Sequence, residues 1–79
     1  MLTPPVCRAA RGWLGWNQAQ LAAAAGVSQS TVRDFETGKR TPIANNLRFM
    51  QRALEDEGIV FMVDADEGIV GLNGPTASG

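Results

Sequence analysis

The sequence predicts a small, mainly α-helical domain, a bundle of four short helices followed by a C-terminal β-hairpin or strand arm. Three observations carry this. Apolar residues recur at helical spacing in four stretches that end at Gly15, Gly26, Gly38 and Gly58. The two central stretches are short and joined by a tight turn at Gly26–Ser28. Residues 59–63, IVFMV, are β-branched or unbranched apolar with one aromatic, which reads as a strand.

The first helix is predicted over Pro4–Leu14, with Thr3 as N-cap and proline in the first turn. Val6, Ala9, Ala10, Trp13 and Leu14 make its apolar face, flanked by Arg8 and Arg11. Asn17 and Gln20 are spaced for a variant capping box at the start of the second helix. Leu21, Ala22 and Ala25 form its inner face, and Gly26 supplies the left-handed residue that stops it. Ser28 can cap the third helix, with Val27 and Val32 at hydrophobic-staple positions. The third helix, about Gln29–Thr37, turns Val32 and Phe35 inward and Gln29, Ser30, Arg33 and Asp34 outward. Apolar at 21, small at 22, glycine at 26 and apolar at 27, 32 and 35 is the spacing of a helix-turn-helix. The competing reading is a plain αα-hairpin. The fourth helix, from Ile43 or Ala44 to Glu57, carries Leu47, Met50, Ala53 and Leu54, with Phe49 off that stripe. Glu55, Asp56 and Glu57 oppose the dipole at its end and are expected to be solvated.

Residues 64–68, DADEG, read as a turn, and IVGL at 69–72 as the second strand. Asp64, Asp66 and Glu67 lack the other ligands of a calcium loop, so no metal is expected. Asn73–Gly79 is expected to be a flexible tail. The domain is thus set at 1–58 and the arm at 59–72. Both faces of IVFMV are apolar, and one bundle can cover only one of them. Ile59, Val60, Phe61, Met62 and Val63 are therefore assigned to a homodimer arm.

Net charge is −1, but its distribution is uneven. Residues 1–48 hold six basic against two acidic residues; residues 49–79 hold one basic against six acidic. The first half can attract a polyanion. Histidine is absent, which removes the commonest metal ligand and general base. The lone Cys7 makes no intrachain disulfide and suggests a reducing compartment. No apolar run approaches the ~18 residues of a membrane span, and no signal-peptide pattern is seen, so a cytoplasmic location is expected. No nucleophile–base pair, metal cluster or phosphate-cradling glycine loop points to an enzyme, and no cofactor is expected.

NQAQLA at 17–22, AGVSQSTV at 25–32 and FETGKRTP at 35–42 resemble the phage repressor/Cro-type helix-turn-helix of the xenobiotic-response-element (XRE) class. The resemblance spans roughly residues 6–57. It implies a lambda-repressor-like bundle whose third helix lies in the DNA major groove. It also implies a structural ion pair between Arg11 and Glu36. By the same resemblance Gln18 contacts a phosphate and buttresses the first base reader. Gln29, Ser30, Arg33 and Asp34 are assigned to bases. Glutamine suits adenine and arginine suits guanine. Asp34 differs from the neutral or basic residues common at that place; a carboxylate can accept from cytosine N4 or hold Arg33. Gln18, Thr31, Lys39, Arg40 and Thr41 are assigned to phosphates, with Asn45 and Asn46 as further backbone contacts.

The implied function is a sequence-specific regulator of transcription that binds double-stranded DNA as a homodimer. Two alternatives stand beside it. One is an antitoxin or autoregulator whose C-terminal segment captures a toxin-like protein. The other is a protein-interaction module that has lost DNA binding.

Overall fold

The computed structural model describes residues 1–65 and 68–74. Among them are four helices, α1 (Pro4–Leu14), α2 (Gln18–Ala25), α3 (Gln29–Glu36) and α4 (Ala44–Asp56). A two-stranded antiparallel sheet comes after them, β1 (Val60–Val63) and β2 (Ile69–Asn73). None of these helices is long and apolar enough to cross a membrane.

The helix ends obey local chemistry. The Asn17 side chain accepts from the Gln20 amide at 2.8 Å, and the Gln20 side chain accepts from the Asn17 amide at 2.8 Å. Both ends of that box satisfy orphan donors of α2. Gly26, at φ +72°, turns the chain out of α2, and the Val27 amide closes back on the Ala22 carbonyl at 3.0 Å. Ser28 Oγ then accepts from the Thr31 amide at 3.1 Å. Thr3 departs from expectation: it occupies the N-cap position without a side-chain cap bond. Two prolines already fix φ and remove donors there, so fewer amides need a cap. Helices α3 and α4 each stop one residue short of the expected Thr37 and Glu57, which become their C-caps.

Leu21 and Ala22 of α2 pack against Val32 and Phe35 of α3 and Leu47, Met50, Ala53 and Leu54 of α4. The contribution of α1 differs from expectation. Cys7 and Ala10 are the buried pair, Val6 and Leu14 are half-buried, and Ala9 and Trp13 are exposed. Cys7, Ala10 and Leu14 lie at i, i+3 and i+7, so the stripe is rotated towards the smaller side chains. Trp13 lies instead along Gly74. A Cβ at Gly74 would overlap the Trp13 indole at Nε1.

The arm also departs from expectation. Ile59 is buried in the helical core, and its amide donates to the Leu54 carbonyl at 3.2 Å. It closes the bundle and is not on the arm surface. Phe61 and Leu72 are half-buried against the same core, while Val60, Met62 and Val63 stay exposed. Alternation along the strand would put Val63 on the inner face with Phe61, and it is not there. The pairing Met62↔Gly71 gives way to Val63↔Ile69, so β2 carries one extra residue at that point. A bulge of this kind bends and twists the hairpin at that point, which is where Val63 ends β1 and is 58% exposed. Asp64 shapes the turn: its amide donates to the Gly68 carbonyl at 3.0 Å, and its Oδ1 accepts from the Gly68 amide at 2.9 Å. Asn73, expected in the tail, ends β2. Asp66, Glu67 and residues 75–79 of that tail lie outside the described residues.

The contact between Trp13 and Gly74 makes a clear prediction. Gly74→Ala should destabilise the chain by roughly 1–3 kcal/mol, because the indole is rigid and must move to admit a methyl group. The loss should vanish when Trp13 is also replaced by alanine. Thermal melts of both single variants and the double variant check this. Equal costs of Gly74→Ala in the two backgrounds would mean that Trp13 does not hold the end of β2.

Candidate nucleic-acid interface

The turn at Gly26–Ser28 sets α3 across α2, with Val32 and Phe35 facing in. The opposite side of α3 is open. Gln29, Ser30 and Arg33 are exposed, and Thr31 and Asp34 are half-buried. At the start of the helix, Ser28 Oγ lies 3.1 Å from Ser30 Oγ and 2.7 Å from Thr31 Oγ1. These hydroxyls hold one another and leave Gln29 as the first unengaged long side chain.

The loop after α3 is tied back to it. The Lys39 and Arg40 amides both donate to the Asp34 carbonyl, at 2.8 and 3.1 Å. Thr37 Oγ1 donates to the Arg33 carbonyl at 2.9 Å. Lys39, Arg40 and Thr41 are exposed beside the outer face of α3. Between loop and helix lies a concavity of about 290 Å³. Ser30, Thr31 and Asp34 line it from α3, with Arg40, Thr41, Pro42, Ile43 and Asn46 opposite. Six of the residues assigned from sequence, Asn46 among them, are thus brought to one place. Gln29 and Arg33 lie on the neighbouring strip, one turn apart. Asn45 is exposed.

Gln18 is placed differently. Its Nε2 donates to Glu36 Oε1 at 3.1 Å. The amide is thereby drawn to the base of α3, not to Gln29 at its start.

Among the described residues, Glu36 is the most connected polar one. Its carboxylate is buried, and Arg11 grips it with two parallel bonds: Nη2 to Oε1 at 2.6 Å and Nε to Oε2 at 2.7 Å. Cys7 Sγ donates to Oε2 at 3.2 Å. Arg11 Nη1 donates to the Trp16 carbonyl at 2.8 Å, and Arg8 Nη1 donates to the Glu36 carbonyl. Burial alone would raise the carboxyl pKa. The bonds from Arg11, Gln18 and Cys7, with the Arg11 charge, outweigh it and hold the group below its ordinary value. The bond to Glu36 raises Arg11 further, against the cost of its burial. Burial, then the bond to Glu36, pushes the Cys7 thiol far up, so it stays protonated and donates.

The sequence alone does not place Cys7 and Arg8 in this network. Cys7 and Arg11 stand one helical turn apart on α1, and Arg8 is three residues from Arg11. That spacing, with a carboxylate closing α3, is the available signal.

A family model described as helix-turn-helix matches residues 8–55, from the first turns of α1 into the last turn of α4. No curated protein matches the chain.

The Glu36 network has a signed pH dependence. Its carboxyl pKa is lowered in the fold, so its contribution is complete above the unfolded value of about 4.3 and is lost as pH falls through the lower folded value. Glu36→Gln should cost roughly 3–5 kcal/mol at neutral pH, since it strands Arg11. The gap from wild type should begin to narrow as pH falls below about 4, where the unfolded chain takes up the proton, and should go on narrowing through the lower folded value, below which wild type also carries a neutral group. Urea melts from pH 7 to 3, in sucrose to keep the variant folded, check this. An equal gap at both ends would show that the buried carboxyl is not ionised.

Proposed function

Because this chain belongs to the Cro/C1-type helix-turn-helix family of DNA-binding regulators, we propose that it binds a specific duplex sequence with α3 in the major groove. One observation carries the reading: Gln29, Ser30 and Arg33 stand exposed on the side of α3 opposite buried Val32 and Phe35, with the Lys39–Thr41 loop tied beside them. Such a surface has directional donors and acceptors for base edges at its centre and cations for phosphates at its flank. Gln29, at the start of the helix, is suited to adenine N6 and N7. Lys39, Arg40 and Thr41 take phosphate oxygens, and Thr31 and Gln18 support the start and base of the helix. Regulation is then by occupancy of the site.

The chain acts as a homodimer on a two-part site. Ile59 and Phe61 serve their own core, which leaves Val60, Met62 and Val63 as the apolar surface of the arm, each half exposed or more. Exposed strand edges with apolar side chains favour pairing with a second strand. Two arms about a twofold axis bury that surface and set two α3 helices one helical turn of DNA apart, about 34 Å.

Selection from random duplexes should enrich a two-part site. On that site Gln29→Ala should weaken binding by roughly 1–3 kcal/mol while leaving random duplex unaffected. Lys39→Ala should weaken both alike and reduce the slope of log K against log salt by about 0.9. Equal loss on both duplexes for Gln29→Ala would remove it from base reading. An unchanged slope for Lys39→Ala would remove the loop from the interface.

Assembly is tested by sedimentation equilibrium. The full chain should be dimeric at micromolar concentration, and Val60→Lys with Met62→Lys should make it monomeric without unfolding it. A wild-type monomer at high micromolar concentration would overturn the dimer and leave the arm to a different protein, as in the antitoxin reading.

A further inference from the structure

Asp34 stands on the outer side of α3, yet its side chain does not reach outward. It lines the concavity between α3 and the Arg40–Ile43 loop, and only 19% of it is exposed. Its main-chain carbonyl fixes it further, by accepting the Lys39 and Arg40 amides. Its Oδ1 lies 3.5 Å from Nε of Arg33, whose side chain is 59% exposed. Arg33 Nη1 and Nη2 bond no other described residue. The guanidinium is therefore engaged at its inner nitrogen and open at its outer two.

We propose that Asp34 sets base preference through Arg33 and does not itself read a base. With Nε engaged by the carboxylate, Nη1 and Nη2 of the exposed side chain remain as a planar fork. Such a fork matches O6 and N7 of one guanine. This rests on the reading of α3 as the major-groove helix. The carboxylate has a second effect. It offsets the Arg33 charge towards phosphates, whose attraction carries no sequence information, and is itself repelled by them. Both effects act on the ratio of specific to random binding. Asp34 is thus a positioning residue, and direct acceptance from cytosine N4 is the outcome that competes with it.

Selection from random duplexes with wild type, Asp34→Asn and Arg33→Ala, each shown folded by thermal melting, tests this. Wild type should fix one guanine in each half-site, and changing it to adenine should weaken binding about 5- to 150-fold. Asp34→Asn should keep the rest of the site, lose most of that guanine preference and bind random duplex more tightly. Arg33→Ala should lose the same preference, and adding Asp34→Asn to it should remove no more. A full guanine preference in Asp34→Asn overturns the proposal, as does a loss confined to a base pair whose preference Arg33→Ala leaves intact. Wild-type protein that enriches no sequence overturns the DNA reading itself, and this proposal with it.

Discussion

The orientation of α3 depends on one buried carboxylate. Glu36 is the last residue of the helix, where the negative end of the dipole disfavours an anion. Burial disfavours it again. It is ionised there because Arg11 meets it with a bidentate fork and Gln18 and Cys7 fill further acceptor sites. Those four residues come from α1, α2 and α3. Arg11 also reaches the Trp16 carbonyl at the α1–α2 junction. One group therefore fixes the end of α3 against two other helices and the turn between them.

Hydrophobic burial drives this assembly, but it does not specify it to the same degree. Val32 and Phe35 each contribute roughly 1.5–3 kcal/mol by leaving water, more than a single ordinary hydrogen bond. Burial is indifferent to small rotations of an eight-residue helix about its axis. The Arg11–Glu36 fork is not, because its two bonds need coplanar groups. An eight-residue helix has little stability of its own in water. Its outward face is aimed by apolar contacts along its length and by the ion pair at its end. A buried ion pair is weak support for stability; its use here is to fix geometry.

Most of the helical frame was legible because it rests on local chemistry. The Asn17–Gln20 box, Ser28 and Gly26 mark ends by the groups they satisfy, and these lie within a few residues of one another. The α1 stripe was less legible. Helical periodicity allowed both Trp13 and Cys7 to face inward, and only the space left by α3 and α4 decides for the smaller side chain. The burial of Ile59 in the helical core is hidden for a related reason: an apolar run shows that residues are sheltered, not by which neighbour. The extra residue in β2 has no local mark in IVGL, so the bend of the hairpin at Val63 is not legible. Among the site residues, the outward positions of α3 follow from Val32 and Phe35 alone. The attachment of Gln18 to Glu36 spans 18 positions in sequence and required the fold.

A net charge of −1 sits poorly with a polyanionic partner until the fold separates the charges. Lys39 and Arg40 precede the start of α4, while Glu55 and Asp56 close it. At 1.5 Å per residue, a helix of 13 residues sets its two ends about 20 Å apart, with Arg40 beside Ile43 and Asn46 at the first and Glu55 and Asp56 at the second. The Debye length at physiological ionic strength is about 8 Å. A phosphate at the basic loop therefore meets the cations nearly unscreened and the acidic end of α4 only through more than two screening lengths. Whole-chain charge is a poor guide to a partner when a rigid helix holds its two signs apart. The charge that matters is the one within a screening length of the surface that binds.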